Sequence, residues 1–332
     1  MRGVALFLTR YGVLVAFVAL FLVNAVWQGE VFLKPENLRN LLNQNAAVGI
    51  IAVGMTFVIL TGGIDLSVGS LMALAAALGL VALNRAMETG VSEGAAVWLA
   101  AATMLGSGLV LGMLNGLFVA WGRVAPFIAT LVGLVGFRSL VLALANGGEI
   151  RSSSMETLPS LGTGGLPTGL ASAGGSSLVL PWGVVLFLAV TLVAEFVTRR
   201  TRFGRLAYAV GSNERAVRYS AVSAGVVKFW VYALSGAMCG LAALTLSARM
   251  NSVASGSMGA YYELDAIAAV VIGGTSLSGG VGRVWGTFLG VLLLGMITNM
   301  LVVANVPVYW QGVVKGAIIL LAVLLQRSAA ED

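Results

Sequence analysis

The sequence predicts an all-helical integral membrane protein with about ten transmembrane helices. Apolar residues make up 59% of the chain and charged residues only 10%, whereas soluble proteins average roughly 45–50% and about 25%. Several apolar stretches reach the roughly 20 residues that a helix needs to cross a bilayer. They are apolar on every side and do not alternate with polar residues, which excludes a transmembrane barrel. The 44 glycines are typical of helices that pack closely in lipid.

Ten apolar segments are predicted to span the membrane. The eighth is the shortest, and because it falls below the usual length, it and one partner are candidates for re-entrant elements that break a helix inside the membrane. In chain order the predicted spans cover residues 11–28, 46–62, 66–84, 95–120, 126–145, 180–198, 228–247, 264–278, 285–303 and 309–326.

The distribution of basic residues predicts that both termini are cytoplasmic. An even number of spans places both termini on one side, and basic residues concentrate in loops on the cytoplasmic side of membrane proteins. The segment Tyr11–Trp27 is longer than the apolar core of a signal peptide, so it is interpreted as a retained first span. Outside fall Lys34, Arg39, Arg85, Arg151 and Arg249; inside fall Arg2, Arg10, Arg123, Arg199, Arg200, Arg202, Arg205, Arg215, Arg218, Lys228, Arg283 and Arg327.

Two long connections interrupt the predicted spans. The outer one, residues 146–178, is rich in Gly, Ser and Pro, and either a disordered connector or a contact surface for an external partner fits this composition. The inner one, residues 199–227, has helical content: Asn213 can cap a short helix, and Glu214 and Arg218 form a favourable i,i+4 pair. This helix either docks into a partner's groove or is a solvated basic loop.

Several kinds of chemistry are absent from the sequence. The chain has no His and one Cys, which excludes His-dependent hydrolase triads and makes a metal site improbable. It also has no phosphate-binding G-x-x-x-x-G-K-[ST] loop, so we expect no ATP hydrolysis by this chain itself. Its basic residues lie at the ends of apolar runs, which argues against nucleic-acid binding. Arg138, within the fifth span, is the clearest intramembrane charge, or else its side chain snorkels to the membrane surface. A secondary carrier or a channel stays open as an alternative because of the glycine-broken stretches described next.

The stretch "LTGGIDLSVGSL" places Asp65 in an apolar run from residue 46 to residue 83. As one helix this run would be about 57 Å long, nearly twice the hydrocarbon thickness of about 30 Å, so Gly62 and Gly63 are predicted to form a turn. Asp65 then either caps the following helix or lines a pathway beside a broken helix. The stretch "IGGTSLSGGV", which contains Gly273, Gly274, Thr275 and Ser276, matches it at five of ten positions and predicts a second broken hairpin on the same side.

Three stretches resemble a known family. "GIIAVGMTFVILTGGIDLSVGS" (49–70), "TRFGRLAYAVGSNERAVRYSAVS" (201–223) and "ELDAIAAVVIGGTSLSGGVGRVWGTFLG" (263–290) look like the permease subunits of bacterial ribose-type sugar ABC importers. The resemblance runs over nearly the whole chain and is strongest to a permease of the galactofuranose importer. It implies a type II-like ABC importer transmembrane domain as one unit, residues 1–332, in the bacterial inner membrane.

The resemblance also implies partners. These are a second permease, identical or related, a cytoplasmic ATPase with two nucleotide-binding halves that binds ATP and Mg²⁺, and a periplasmic sugar-binding protein that carries most of the specificity. This chain is expected to contact membrane lipid, to hold no cofactor of its own and not to be an enzyme.

Two groups of residues are candidates for function, the first from the resemblance and the second from the glycine-broken stretches. The residues expected to couple the permease to the ATPase are Gly211, Asn213, Glu214, Arg215, Ala216 and Arg218. The candidates for pathway or gate residues are Gly62, Gly63, Asp65, Ser67, Ser70, Gly273, Gly274, Thr275 and Ser276.

Overall fold

The computed structural model describes residues 2–171, 177–307, 309–318 and 320. Within these residues the chain is mostly helical. The helices are α1 (Arg2–Gln28), α2 (Glu30–Leu33), α3 (Pro35–Leu60), α4 (Val68–Glu88), α5 (Glu93–Ala120), α6 (Pro126–Leu144), α7 (Thr157–Thr163), α8 (Trp182–Arg200), α9 (Arg202–Tyr219), α10 (Ala224–Met250), α11 (Tyr262–Ile272) and α12 (Val284–Val303). The strands are β1 (Glu149–Arg151), β2 (Gly165–Ala171), β3 (Ser177–Pro181) and β4 (Ser252–Ala254). A further helical segment covers residues 309–318.

The predicted helical membrane fold is confirmed, with fewer full spans than the ten predicted. Among the described residues, seven helices are long and apolar enough to cross a membrane: α3, α4, α5, α6, α8, α10 and α12. The described apolar part of α1, Gly12–Gln28, is shorter. Of the predicted tenth span, residues 309–318 and 320 are helical, whereas residues 319 and 321–326, together with Arg327, lie outside the described residues.

The predicted eighth span is a half-length helix. Helix α11 has 11 residues, so it is about 17 Å long and crosses roughly half of the hydrocarbon core. The segment before it turns back into the bundle, where a Cβ on Gly69, in the first turn of α4, would collide with the carbonyl oxygen of Gly259. Arg138 fixes this segment by donating to the carbonyls of Ser255 and Met258, both at 2.9 Å. The intramembrane charge therefore holds a re-entrant segment of backbone.

Helix α3 occupies the centre of the bundle. Every residue from Ala46 to Leu60 is buried, and α3 packs against α8, α10, α11 and α12. Helices α5, α6 and α8 instead expose large apolar side chains such as Trp98, Val132 and Phe196. Such side chains suit helices that face lipid.

Helix α3 begins eleven residues before the predicted span. Pro35 occupies the first helical turn, where its missing N–H costs nothing and its fixed φ favours the helix. The added turns contain Asn37, Asn40, Asn43, Gln44 and Asn45. A search for apolar segments omits such residues because they are polar, although they continue the same helix.

The long connection after α6 contains regular structure in its described part. β1 pairs antiparallel with β4, and β2 pairs antiparallel with β3. The carboxylate of Glu93, at the start of α5, accepts hydrogen bonds from the backbone N–H groups of Glu156 at 2.9 Å and Thr157 at 2.7 Å and from the hydroxyl of Ser154. The disordered alternative is therefore wrong for residues 149–171, because these bonds tie the connection to α5.

The bundle has two distinct ends. We call the end that carries β1 to β4 the loop end, and the end where α3 and α11 stop, at Leu60 and Ile272, the turn end. The backbone N–H of Gly280 donates to the carbonyl of Leu60 at 2.9 Å. This bond shows that both glycine turns lie at the same end, as predicted.

Helices α5 and α10 pack through facing glycines. Gly108 and Gly112 of α5 oppose Gly236 and Gly240 of α10, and a Cβ on Gly108 would lie 2.5 Å from the carbonyl oxygen of Gly236. Small residues spaced by four let two helix backbones approach closely, which stabilises helix pairs in lipid. This pair fixes the position of α10 against the centre of the bundle.

We predict that Gly112→Ala destabilises the protein by about 1–3 kcal/mol, the usual cost of overpacking. Its new Cβ would meet the carbonyl oxygen of Tyr232 and, at 2.8 Å, the Cα of Gly236. Thermal unfolding of the purified chain in detergent measures the effect. Gly106→Ala is the matched control, since a Cβ there has no neighbour within 4 Å. Equal melting temperatures for the two variants would contradict the packing argument.

Candidate functional site

The first glycine turn ends α3. The N–H groups of Gly62 and Gly63 donate to the carbonyls of Ile59 and Val58, at 2.9 and 3.1 Å. Gly62 has φ +76°, a left-handed conformation that glycine adopts without strain. Gly63 leaves room for the Tyr232 hydroxyl, which would lie 2.7 Å from a Cβ at this position. The predicted turn at Gly62 and Gly63 is therefore present.

Asp65 does not cap α4 directly, in contrast to one of the two roles predicted for it. Helix α4 begins at Val68, so Ser67 is its N-cap residue. Asp65 Oδ1 instead accepts from the backbone N–H and the hydroxyl of Ser67, at 2.9 and 2.6 Å. The carboxylate forms a turn with the residue two positions on, an arrangement that competes with capping for Asp side chains. Asp65 is only 1% exposed, and its Oδ2 has no hydrogen-bond partner among the described residues.

A buried polar cluster surrounds this turn. Asn115 of α5 donates to the Ser67 hydroxyl at 2.8 Å, and Ser70 donates to the Ser67 carbonyl at 2.9 Å. Thr130 of α6 donates to the Pro126 carbonyl at 2.9 Å and is 3.3 Å from the Ile64 carbonyl. Sequence reasoning missed Asn115 and Thr130, although a polar residue inside each apolar span was visible. Peptide groups outside the helices are tolerated at this depth because neighbouring protein groups satisfy their hydrogen bonds.

The second glycine turn ends α11. Gly273 packs against α12, where its added Cβ would lie 2.5 Å from the carbonyl carbon of Gly286. Gly274 has φ +86°, and Thr275 is fully buried beside Gly282. The N–H of Ser276 donates to the Val281 carbonyl at 2.9 Å, which closes the loop that follows.

The two turns meet through a glycine pair outside the predicted gate residues, although the alignment of the two stretches matches Gly280. Gly279 and Gly280 have φ +85° and +73°. A Cβ on Gly279 would lie 2.9 Å from the Gly62 nitrogen, and Gly280 bonds to Leu60 as described above. Gly273 and Gly274 therefore shape the second turn, whereas the following glycine pair touches the first.

Helix α9 packs onto this meeting point. A Cβ on Gly211 would collide with the carbonyl oxygen of Leu60 and with the nitrogen of Gly280, and Ser212 lies against Gly280. The Tyr208 hydroxyl donates to the Gly282 carbonyl at 2.8 Å. Three stretches that the sequence analysis singled out separately thus form one contact, which we call the turn junction: residues 60–63, 276–282 and 208–212.

Helix α9 changes direction at Asn213. Asn213 has the non-helical angles φ −160° and ψ 91°, and its side-chain oxygen accepts from the Ala216 N–H at 3.0 Å. Asn213 is therefore the predicted cap of a short helix. The helix 202–219 is longer than predicted because a first part precedes the kink.

The short helix after the kink is anchored by Glu214. Its carboxylate accepts from Arg218 at 2.6 Å, as predicted, and from Lys228 of α10 at 2.7 Å. The hydrogen bond from Lys228, together with that from Arg218, holds the pKa of Glu214 below its usual value despite the opposing effect of burial. The anchor therefore remains ionised at neutral pH.

The outer side of the short helix is exposed. Arg215, Ala216 and Tyr219 are exposed, Tyr219 to 90%, whereas Val217 is buried against the bundle. Arg215 has no ion pair with another described residue. The arrangement can transmit a force applied to this helix to the ends of α3 and α11, because Gly211 touches both turns. Among the described residues no group of three potential metal-binding side chains is present.

Comparisons with known proteins identify the family. The family model described as "Branched-chain amino acid transport system / permease component" matches residues 37–323. The chain is 42% identical over 296 residues to the ribose import permease protein RbsC of Escherichia coli K12, covering 89% of this chain and 87% of that protein. It is 44% identical over 297 residues to the ribose import permease protein RbsC of Bacillus subtilis 168, covering 89% and 86%.

A third relative is named for a different sugar. The chain is 34% identical over 373 aligned positions to the xylose transport system permease protein XylH of Escherichia coli K12, covering 95% of this chain and 91% of that protein. No solved structure matches the chain significantly. With a family model over most of the chain and seven helices able to cross a membrane, this multi-pass membrane protein belongs to the family of transport-system permease components.

Proposed function

We propose that this chain is the permease subunit of an ABC importer that carries a monosaccharide of the ribose or xylose type. The sugar class comes from the relatives, which are named ribose and xylose permeases and match about nine-tenths of the chain. The mechanism rests on one observation, the close contact of Gly211 with the backbone of both glycine turns. The galactofuranose preference stays a prediction from overall likeness.

The short helix after Asn213 is our candidate for the surface that docks on the ATPase. The exposed Arg215 and Ala216 offer a basic, low-profile surface, and Asn213, Glu214 and Arg218 hold the helix in place. Gly211 then passes the ATPase's movement to Leu60 and Gly280. ATP and Mg²⁺ belong to the partner ATPase in this proposal, since the chain carries no phosphate-binding loop.

This assignment orients the protein. With α9 facing the ATPase, the turn end is cytoplasmic and the loop end faces the periplasm of a bacterial inner membrane. The sugar-binding protein then docks at the loop end, and both termini are cytoplasmic as predicted. A second permease, identical or related, completes the pathway. Residues 199–227 act as the coupling segment and residues 146–178 as the outer segment of one permease unit.

Gly62, Gly63, Gly273 and Gly274 are the residues we expect to flex during gating. They are joined at the turn junction, so a shift of α9 moves both turns together. Asp65, Ser67, Ser70, Thr275 and Ser276 have a different part. These residues are buried or hydrogen-bonded within the two turns. We therefore propose that they keep the turns in shape and do not contact sugar.

Reconstitution tests the proposed function. Proteoliposomes that contain this chain, its second permease and the ATPase should accumulate sugar only under two conditions. ATP must be present on the side of the membrane that carries the ATPase, and sugar-loaded binding protein must be present on the opposite side. Sugar flux through this chain alone, driven by a gradient, would instead support a secondary carrier or channel and would refute the ABC assignment.

We predict that Arg215→Glu weakens coupling to the ATPase. Reversing the charge on the exposed helix removes electrostatic complementarity at the docking surface. Substrate-stimulated ATP hydrolysis should fall about tenfold, a typical size for a coupling effect, while thermal unfolding of the chain stays unchanged. Arg202→Glu is the matched control, since Arg202 is exposed on the same helix but lies before the kink. Equal losses in both variants would show a general charge effect and contradict the docking assignment.

We predict that Gly211→Ala interrupts transmission through the turn junction. The new methyl group would collide with the Leu60 carbonyl and the Gly280 nitrogen, and backbone atoms cannot rotate away as side chains do. ATP-driven sugar uptake should fall about tenfold, measured in the proteoliposomes above. Gly106→Ala, with no neighbour near its Cβ, should transport normally. Normal uptake by Gly211→Ala would refute the role of the junction.

We predict that Asp65→Asn keeps most transport, whereas Asp65→Ala loses stability. An amide oxygen at position 65 can still accept from the Ser67 N–H and hydroxyl. Alanine leaves these buried donors unpaired, which costs about 1–3 kcal/mol. Thermal unfolding and uptake measured together separate the two cases. Loss of uptake in Asp65→Asn with unchanged unfolding would show that the charge itself participates in the pathway.

A further inference from the structure

A polar cavity of about 550 Å³ lies in the loop-end half of the bundle. Arg249 places it there, because this residue lies in the last turn of α10, just before β4. The cavity is thus separate from the turn junction at the other end. Its lining comes from the first turns of α3, the start of α11, the second half of α12 and the segment 309–318. Its volume falls within the roughly 300–1,000 Å³ of small-molecule sites.

Carboxamide side chains dominate the lining. Five of them, contributed by Asn40, Asn43, Gln44, Asn45 and Asn299, border the cavity, and Thr298 adds a hydroxyl nearby. Each carboxamide offers a donor and an acceptor. A neutral ligand with many hydroxyl groups presents the same two functions on every carbon. The composition of the wall therefore matches a sugar better than an apolar or purely ionic ligand.

The ionic groups of the cavity are engaged with the protein. Lys315 lies 3.0 Å from Asp265 Oδ2 and 3.1 Å from Oδ1, so the two charges neutralise each other. Arg249 donates to the Asn43 carbonyl at 3.2 Å. A neutral ligand can hydrogen-bond to the Asp265–Lys315 pair without having to break it. An anion would have to compete with Asp265 for Lys315.

Close packing and hydrogen bonds fix the positions of two of the carboxamides. Asn45 lies against Gly295 of α12, where a Cβ would be 2.5 Å from its Nδ2. Asn299 donates to Asn37 Oδ1 at 3.0 Å, and its own Oδ1 is buried with no hydrogen-bond partner among the described residues. Asn299 thus contributes an acceptor that helix–helix contacts have not already used.

We propose that this cavity is a binding site for one neutral monosaccharide on the permease itself. The choice of a sugar rests on the proposed function, whereas the polar wall, in which Asp265 neutralises Lys315 and Arg249 donates to the Asn43 carbonyl, stands independently of it. The carboxamides and Thr298 would read hydroxyl groups, and the Asp265–Lys315 pair would orient the ring. The site holds the sugar between its release at the loop end and its passage toward the turns.

Helix α11 connects this site to the turn junction. Tyr262 and Asp265, in its first turn, line the cavity, and its last residue, Ile272, is followed by Gly273 of the second glycine turn. A sugar bound to Asp265 therefore touches the same short helix whose other end contacts α12 and leads to Gly280. Occupancy of the site can bias the gate through this helix.

Equilibrium binding to the purified full chain in nanodiscs tests the proposal. The probes are ribose, xylose, galactose and inorganic phosphate, measured by calorimetry. At least one sugar should bind, and Thr298→Val and Gln44→Leu should each weaken it between about twofold and tenfold, the loss of one hydrogen bond. Gln44 is exposed, so its replacement leaves the fold intact. Thr103→Val is the matched control, since both threonines donate to the carbonyl four residues earlier, at 2.8 and 2.9 Å.

The outcomes separate this inference from the proposed function. No sugar binding to the chain, or binding unchanged by both cavity variants, overturns the site even when ATP-driven uptake by the complete importer is normal. Phosphate binding that Thr298→Val or Gln44→Leu weakens, without sugar binding, also overturns it in favour of an anion site. Sugar binding that the cavity variants weaken and Thr103→Val does not supports the site, whatever drives transport.

Discussion

The architecture depends on a contact that backbone atoms make directly with one another. At the turn junction the carbonyl of Leu60 accepts from the Gly280 N–H, and the Cα of Gly211 covers both atoms. Side chains would hold these three backbones apart by at least one methyl layer. Because the contact is rigid and direct, a displacement of α9 cannot be absorbed by rotating side chains and must move α3 or the loop after α11.

The interior on both sides of this contact must supply hydrogen-bond partners for backbone groups. The turn after α3 rises into the bundle, and α11 begins inside it, so peptide groups lie at membrane depth without helical partners. Asp65 and Thr130 meet this need at the first turn, and Arg138 meets it at the segment before α11. At these positions the polar and charged side chains satisfy backbone groups of broken helices.

Much of this could be predicted from the sequence, for identifiable reasons. Apolar length located the helices, the glycine pairs located both turns, and Asn213 and Glu214 marked the short helix of the inner loop. The sequence did not indicate that Gly279 touches Gly62 or that Gly280 touches Leu60, because these contacts depend on long-range packing. The predicted start of α3 was too late because the first turns of this helix are polar. The capping role considered for Asp65 was not found, since its carboxylate accepts hydrogen bonds from Ser67 instead.

Helix α11 connects the polar cavity in the loop-end half of the bundle to the second glycine turn at the turn end. A full span is anchored in both membrane surfaces, whereas α11, with 11 residues, is held only by the helices around it. Its first turn lines the polar cavity through Asp265, and its end forms the second glycine turn. Since the helix is short and internally hydrogen-bonded, it moves as a unit. A change at the Asp265–Lys315 pair must therefore shift Gly273, and movement imposed at the turn junction must reach the cavity by the same route.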